Sequence, residues 1–377
     1  MPHSNVMRRD PGAARRAAAR FAALSPCSDL TVTDASASSG APDLRLDALT
    51  AWATGVLESR DFHIAPASAD ASFRRYFRIV PAAPWQGHAT LIAMDAPPPM
   101  EDCGPFVHVA RLLRDAGVHA PAVLAEDLSR GFLLLTDLGN RTYLAALDAA
   151  SAQGLYAAAT DALILWQRAT RANALPTYDE ALLRRELDLF PDWYVGRHLG
   201  ITLTASQRDA QDRAFRAILD NNLAQPRVFV HRDYHSRNLM VTEPNPGVLD
   251  FQDAVEGPIT YDLVSLLRDA YVDWDEARQL DWAARYWERA RHAGLPVGAD
   301  FAAFWRDFEW MGVQRQLKVL GIFARLAHRD GKTSYVADMP RVFDYLRAAC
   351  GRYRELAPLA ALLDAVHARP VAAGNTF

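Results

Sequence analysis

An aspartate and an asparagine five residues apart share the run His231-Arg232-Asp233-Tyr234-His235-Ser236-Arg237-Asn238, and a second aspartate follows in Leu249-Asp250-Phe251. Moving a γ-phosphoryl group requires little covalent help from a protein. It requires cations on the phosphates and a carboxylate beside the attacking hydroxyl. Asp233 suits the carboxylate, and Asn238 with Asp250 offers the hard oxygen donors that magnesium prefers. The same run also spells H-x-D-x-H through His231, Asp233 and His235, a pattern able to hold zinc or a metal pair. The plainest alternative is a polar turn whose Asp and Asn cap local backbone.

Such a loop needs elements to hold it. Residues 228–230, 238–241 and 247–249 read as short strands, which places Asp233 and Asn238 on an inter-strand loop and Asp250 at a strand end. Upstream, residues 44–58 have helical spacing, 73–80 and 90–94 read as strands, 106–116 as a helix, and 122–125 and 131–135 as further strands. From Thr142 onward the chain reads mostly helical, with 155–168 as the expected central core helix and 310–329 as a long helix.

The chain has 377 residues, half of them hydrophobic and 23% charged, with a formal net charge of −4. This is enough for two lobes around a shared core. It gives no sign of bulk nucleic-acid binding, and no apolar run approaches a membrane span. Three scattered cysteines supply no disulfide framework and suit a reducing, cytoplasmic setting. Residues 1–41 are rich in Arg, Ala and Ser and read as a disordered extension outside the fold. Nothing in the sequence speaks to oligomeric state.

The chain resembles the aminoglycoside phosphotransferase/choline kinase superfamily, and within it most nearly the anomeric N-acetylmuramate/N-acetylglucosamine kinases of peptidoglycan recycling. The likeness is carried by residues 231–238 and by Leu249-Asp250-Phe251-Gln252-Asp253. It extends to Asp70-Ala71-Ser72-Phe73-Arg74-Arg75-Tyr76-Phe77-Arg78, Met94-Asp95-Ala96-Pro97-Pro98, Gly131-Phe132-Leu133-Leu134-Leu135-Thr136-Asp137-Leu138-Gly139, Tyr261-Asp262-Leu263 and Gly321-Ile322-Phe323-Ala324-Arg325. The resemblance implies a bilobal, protein-kinase-like α+β fold: a small nucleotide lobe over residues 42–136, a large catalytic lobe over 137–365, and a tail over 366–377. It implies ATP and Mg2+ as cofactors, an amino sugar as acceptor, Asp233 as catalytic carboxylate, and Asn238 and Asp250 as metal ligands.

Other roles follow from the resemblance. The loop 68–72 falls where the ATP phosphates are covered, with Ser72 able to meet a phosphate although the loop has no glycine. Leu135, Asp137 and Leu138 fall at the adenine hinge, and Asp262 falls where the fold braces its catalytic loop. The third-strand lysine and helix glutamate that usually hold the phosphates are both absent. Their positions fall at Ala93 or Met94 and at Phe106 or His108, and the only lysines are Lys318 and Lys332. Arg74, Arg75 and Arg78 are candidates to supply the missing cation; in a strand Arg74 and Arg78 share one face and Arg75 the other. At the acceptor side the expected residues are His235, Arg237 and Asp253, with Asp188 and Trp193 as a sugar platform. Arg315 is one of the cations able to meet a lactyl carboxylate. A kinase for another small hydroxyl substrate (choline, aminoglycoside, homoserine) or a non-catalytic nucleotide-binding relative would keep the same fold.

Overall fold

The computed structural model describes residues 43–69 and 73–367. The expected extension over 1–41, Ser72, and all but the first two residues of the expected tail lie outside them. The described residues from Arg45 to His367 fall within one compact unit.

The small lobe begins with helix α1 (Leu44–Leu57) and a five-stranded antiparallel sheet of β1 (Phe62–Ala69), β2 (Arg75–Pro81), β3 (Leu91–Asp95), β4 (Val123–Asp127) and β5 (Phe132–Thr136), in the order β1-β2-β3-β5-β4. Helix α2 (Gly104–Asp115) lies between β3 and β4 in the chain. Part of what the sequence suggested as a polar loop after Ala65 is the end of β1.

The two-residue strand period sorts the sheet's faces. Phe77, Ala93 and Leu134 are in register and join Leu49, Ala53 and Leu57, one helical stripe of α1, in a small core. On the other face Arg78, Ile92 and Leu135 are in register, as are Tyr76, Met94 and Leu133. That face meets α2 and the large lobe, so its side chains form the roof of a cleft. The third-strand position is therefore taken by Ile92 and Met94, while Ala93 is turned toward α1.

The large lobe comprises α3 (Tyr143–Ala146), α4 (Ala152–Arg168), α5 (Glu180–Leu189), a π-helical turn (Phe190–His198), α6 (Ala205–Leu223), α7 (Tyr261–Leu267), α8 (Glu276–His292), α9 (Phe301–Asp330), α10 (Met339–Cys350) and α11 (Ala357–His367). Two small ladders hold the loop of interest: β6 (Arg227–Val230) against β9 (Val255–Pro258), and β7 (Leu239–Met240) against β8 (Gly247–Val248). The expected core helix over 155–168 is present as α4. The helix that organises the lobe is α9, which packs on α5, the π-helical turn, α6, α7 and α10. At the other boundary, Val366 is buried within α11, so the lobe runs past the expected limit at 365.

Gly321 shows why α9 sits so close to its neighbour. A Cβ there would stand 2.5 Å from the backbone carbon and oxygen of Leu189. Gly321→Ala is expected to lower stability by about 2 kcal/mol, because backbone must move to admit the methyl group. Urea unfolding midpoints of the two proteins measure it.

Candidate active site

The catalytic loop is anchored before it reaches the cleft. His231 follows β6 and is buried; its Nε2 donates to Leu249 O at 2.9 Å, and its Nδ1 accepts from Asp233 N at 3.3 Å. Burial pushes the imidazole down to about 4, so it is neutral at pH 7 and ties the loop to the strand leading to Asp250. With both ring nitrogens engaged, His231 cannot begin a metal site of the H-x-D-x-H kind.

Asp262, at the start of α7 and fully buried, accepts from the backbone of His231 at 2.7 Å and of Arg232 at 3.0 Å. Burial pushes its carboxyl up to about 7, against the pull of these two donors. The paired contact holds Arg232 at φ +78°, where a non-glycine residue is strained. Asp250 is likewise held in the left-handed region, at φ +63°. Strain at these two positions aims both segments at one point. There the Asn238 Nδ2 donates to Asp233 O at 3.0 Å and to Asp250 Oδ2 at 3.2 Å, while Gln252 Nε2 donates to Asp250 Oδ1 at 2.9 Å. The three residues singled out by spacing thus meet in one place.

Behind Asp233 lies a buried set of charges. Lys318 on α9 contacts Glu186 at 3.1 Å and donates to Tyr261 Oη at 2.9 Å; Glu186 also accepts from Arg232 at 2.7 Å and from the Tyr178 hydroxyl. Burial alone would raise the Asp233 carboxyl, but Lys318, His235, Arg232 and Arg315 together hold it at about 2. The carboxyl is depressed below its unfolded value, so its contribution to stability is present above about pH 4 and fades as pH falls toward about 2. Lys318→Met is expected to lower stability by roughly 3 kcal/mol, because Glu186 loses one of its two cations in a buried setting. It should also move the acid limb of the kcat profile upward, since Asp233 loses the strongest cation holding its proton off. Lys318→Arg, which keeps the charge, should restore part of both; denaturation and pH–rate profiles read the two effects separately.

The cleft holds a cavity of about 420 Å3. Tyr76, Ile92 and Leu135 roof it, Asp137 and Leu138 form one side, and Asn238, Asp250 and Phe251 line the floor. The Phe106 and Phe251 rings, one from each lobe, meet at 4.7 Å between centroids and join the lobes at its edge.

The three arginine candidates separate. Arg78 enters the cleft and clamps Asp137 with bonds of 2.6 and 3.1 Å, with a third to Gly139 O at 3.0 Å. Asp137 is thereby held below the usual carboxylate range, despite burial. Arg74 pairs with Glu101 at 3.2 Å, both largely buried, an arginine–glutamate pair just ahead of β2 and α2. Arg75 corrects the expectation: it points to the opposite sheet face and binds the buried Asp95 at 2.6 Å, where Arg45 also binds.

The acceptor-side expectations divide too. His235 packs edge-on against Tyr271, and Arg237 lies over the same ring, its guanidinium carbon 3.7 Å from the centroid. Asp253 is exposed beside Gln252, and its carbonyl accepts from Arg232 at 3.3 Å. Arg315 is buried on α9, close enough to Asp233 to help hold it ionised. Asp188 is a correction. It is half-buried and pairs with Arg184, which also binds Asp212, so it faces α6. Two residues earlier on the same helix, Glu186 takes the inward place. Trp193 is half-buried on the π-helical turn and makes no hydrogen bond or ring contact with the catalytic loop among the described residues. Sequence reasoning passed over Glu186, Tyr271 and Glu101. Only Glu186 had a usable signal, an acid at helical spacing in an apolar stripe.

The family model described as "Phosphotransferase enzyme family" matches residues 63–301, more than half of the chain. The chain belongs to the phosphotransferase enzyme family. It is 52% identical over 337 residues to the N-acetylmuramate/N-acetylglucosamine kinase of Pseudomonas putida, covering 86% of this chain and 98% of that protein. The enzyme of the same name from Neisseria meningitidis is 48% identical, covering 86% and 97%. Among solved structures, a choline/ethanolamine kinase family protein from Mesorhizobium loti superposes with a TM-score of 0.56 at 17% identity, covering 85% of this chain and 99% of that one. The last likeness speaks to fold alone: a kinase-like fold with an antiparallel small-lobe sheet and a helical large lobe. The chain is accordingly a phosphotransferase enzyme. Among the described residues no helix is long and apolar enough to cross a membrane.

Proposed function

We propose that this phosphotransferase moves the γ-phosphoryl group of ATP to the anomeric hydroxyl of N-acetylmuramate and N-acetylglucosamine, forming the sugar 1-phosphates in the cytoplasm during cell-wall recycling. The observation that carries the phosphotransfer is the Asn238 bridge between Asp233 and Asp250 on the floor of the cleft. The relatives' names support the acceptor.

The donor set fits a magnesium ion. Asn238 commits its amide nitrogen to Asp233 and Asp250, which leaves its Oδ1 for a cation, and Asp250 sets a hard carboxylate oxygen beside it. Asn238 and Asp250 are the residues that would hold the ion, which when bound offsets charge on the phosphates. The hinge at Leu135, Asp137 and Leu138 receives the base, with Arg78 fixing the Asp137 carboxylate. Arg74, set by Glu101, replaces the missing lysine as the phosphate-side cation.

Asp233 accepts a hydrogen bond from the acceptor hydroxyl and aims its oxygen at the γ-phosphorus. A carboxylate held at about 2 is a weak base. It therefore orients the hydroxyl first and receives the proton late, as the new P–O bond forms and the bond to ADP breaks. That order suits the loose transition state of phosphoryl transfer. An anomeric hydroxyl, more acidic than an ordinary alcohol, makes the late transfer easier. ADP release measured side by side with N-acetylmuramate, N-acetylglucosamine, choline and kanamycin tests the reading. Turnover confined to the two amino sugars supports it; turnover confined to choline or kanamycin overturns it.

A further inference from the structure

The two sugars named for the relatives differ by one group: N-acetylmuramate carries a lactyl ether ending in a carboxylate, and N-acetylglucosamine carries a free hydroxyl there. An enzyme acting on both faces an anion in one case only. Arg237 is placed for that difference. It is exposed at the edge of the cleft, one residue before Asn238. Its guanidinium carbon lies 3.7 Å over the Tyr271 ring centroid and 5.4 Å from that of Tyr335. Among the described residues it takes part in no ion pair and no hydrogen bond. A guanidinium resting over a tyrosine face loses little of its N–H donor edge, and that edge suits two-pronged recognition of a carboxylate.

The direction of the stack separates two possible anions. The phosphates belong with Asn238 and Asp250. Arg237 turns instead toward Tyr271, which also packs on His235 and, at 6.1 Å between centroids, on Phe323. His235 lies two residues from Asp233, so this aromatic wall stands on the side where the acceptor hydroxyl must be held. The other cations near Asp233 are less available: Arg315 is 3% exposed, and Lys318 is engaged by Glu186 and Tyr261.

Resting on the acceptor assigned above, we infer that Arg237, held over the Tyr271 ring with Tyr335 beside it, reads the lactyl carboxylate and sets the preference between the two sugars. Steady-state kinetics on the full-length enzyme with both sugars, and with N-acetylmuramate whose lactyl acid is converted to the amide, test this. Arg237→Met should lower the ratio of kcat/KM for N-acetylmuramate over N-acetylglucosamine at least tenfold, and Arg237→Lys should recover part of it. Wild-type enzyme should prefer the acid over its amide, and Arg237→Met should not. An unchanged ratio in Arg237→Met, or equal losses on both sugars with a raised KM for ATP, would overturn the inference while leaving the acceptor assignment intact. Wild-type enzyme inert on both sugars would overturn the acceptor assignment and this inference with it.

Discussion

Asp233→Asn is expected to cut kcat about a thousandfold, with the affinity for ATP nearly unchanged. The amide cannot take the acceptor proton, and its nitrogen presents a donor where the hydroxyl also needs to donate. A thousandfold loss is about 4 kcal/mol of transition-state stabilisation. The fold should survive, because the loop is braced through other atoms: His231 to Leu249, and Asp262 to the amides of His231 and Arg232. Stopped assays of ADP formation, together with nucleotide titration by calorimetry, separate the two quantities. The same carboxylate gives the wild-type pH profile its shape. With Asp233 held at about 2, its titration should leave kcat flat from about pH 5 to about pH 9.

The second large effect is expected at Asp250. If Asp250 holds the ion as proposed, Asp250→Asn removes a negative charge beside the phosphates and replaces a strong oxygen donor by a neutral amide. kcat should fall by about two orders of magnitude, and the magnesium concentration for half-maximal rate should rise at least tenfold, in keeping with the role of charged oxygen ligands around that ion. Raising magnesium should recover part of the loss in this variant and none of it in Asp233→Asn. That contrast distinguishes a ligand from a group acting on the acceptor. Rate against magnesium concentration for the three proteins measures it.

The parts of the site legible in the sequence were those encoded locally. Asp233 and Asn238 share one short loop, and Asp250 follows at the end of the next small ladder, so spacing alone was enough to bring them together. The separation of Arg75 from Arg78 followed from strand alternation, but alternation says nothing of what waits on each face. Arg75 finds the buried Asp95, and Arg78 finds Asp137 at the hinge, both through pairings with distant chain. The same limit explains Asp188. Its acidity and its aromatic neighbours were visible, yet two residues of helix rotate a side chain to nearly the opposite face, and Glu186 holds the inward place. The Glu186–Lys318 contact joins α5 to α9, an approach made close by the bare backbone at Gly321, and no local pattern announces it. The π-helical turn after Leu189, which carries Trp193, likewise depends on tertiary packing.

The most direct test of the account is the identity of its product. Incubation with ATP, magnesium and N-acetylglucosamine, followed by phosphorus NMR and a reducing-sugar assay, should show one ADP formed per sugar phosphate, a phosphorus signal coupled to the anomeric proton, and loss of the reducing end. A sugar phosphate that still reduces would place the phosphoryl group on another hydroxyl and contradict the anomeric assignment. ADP formation with no sugar phosphate would contradict the positioning of the acceptor by Asp233 altogether.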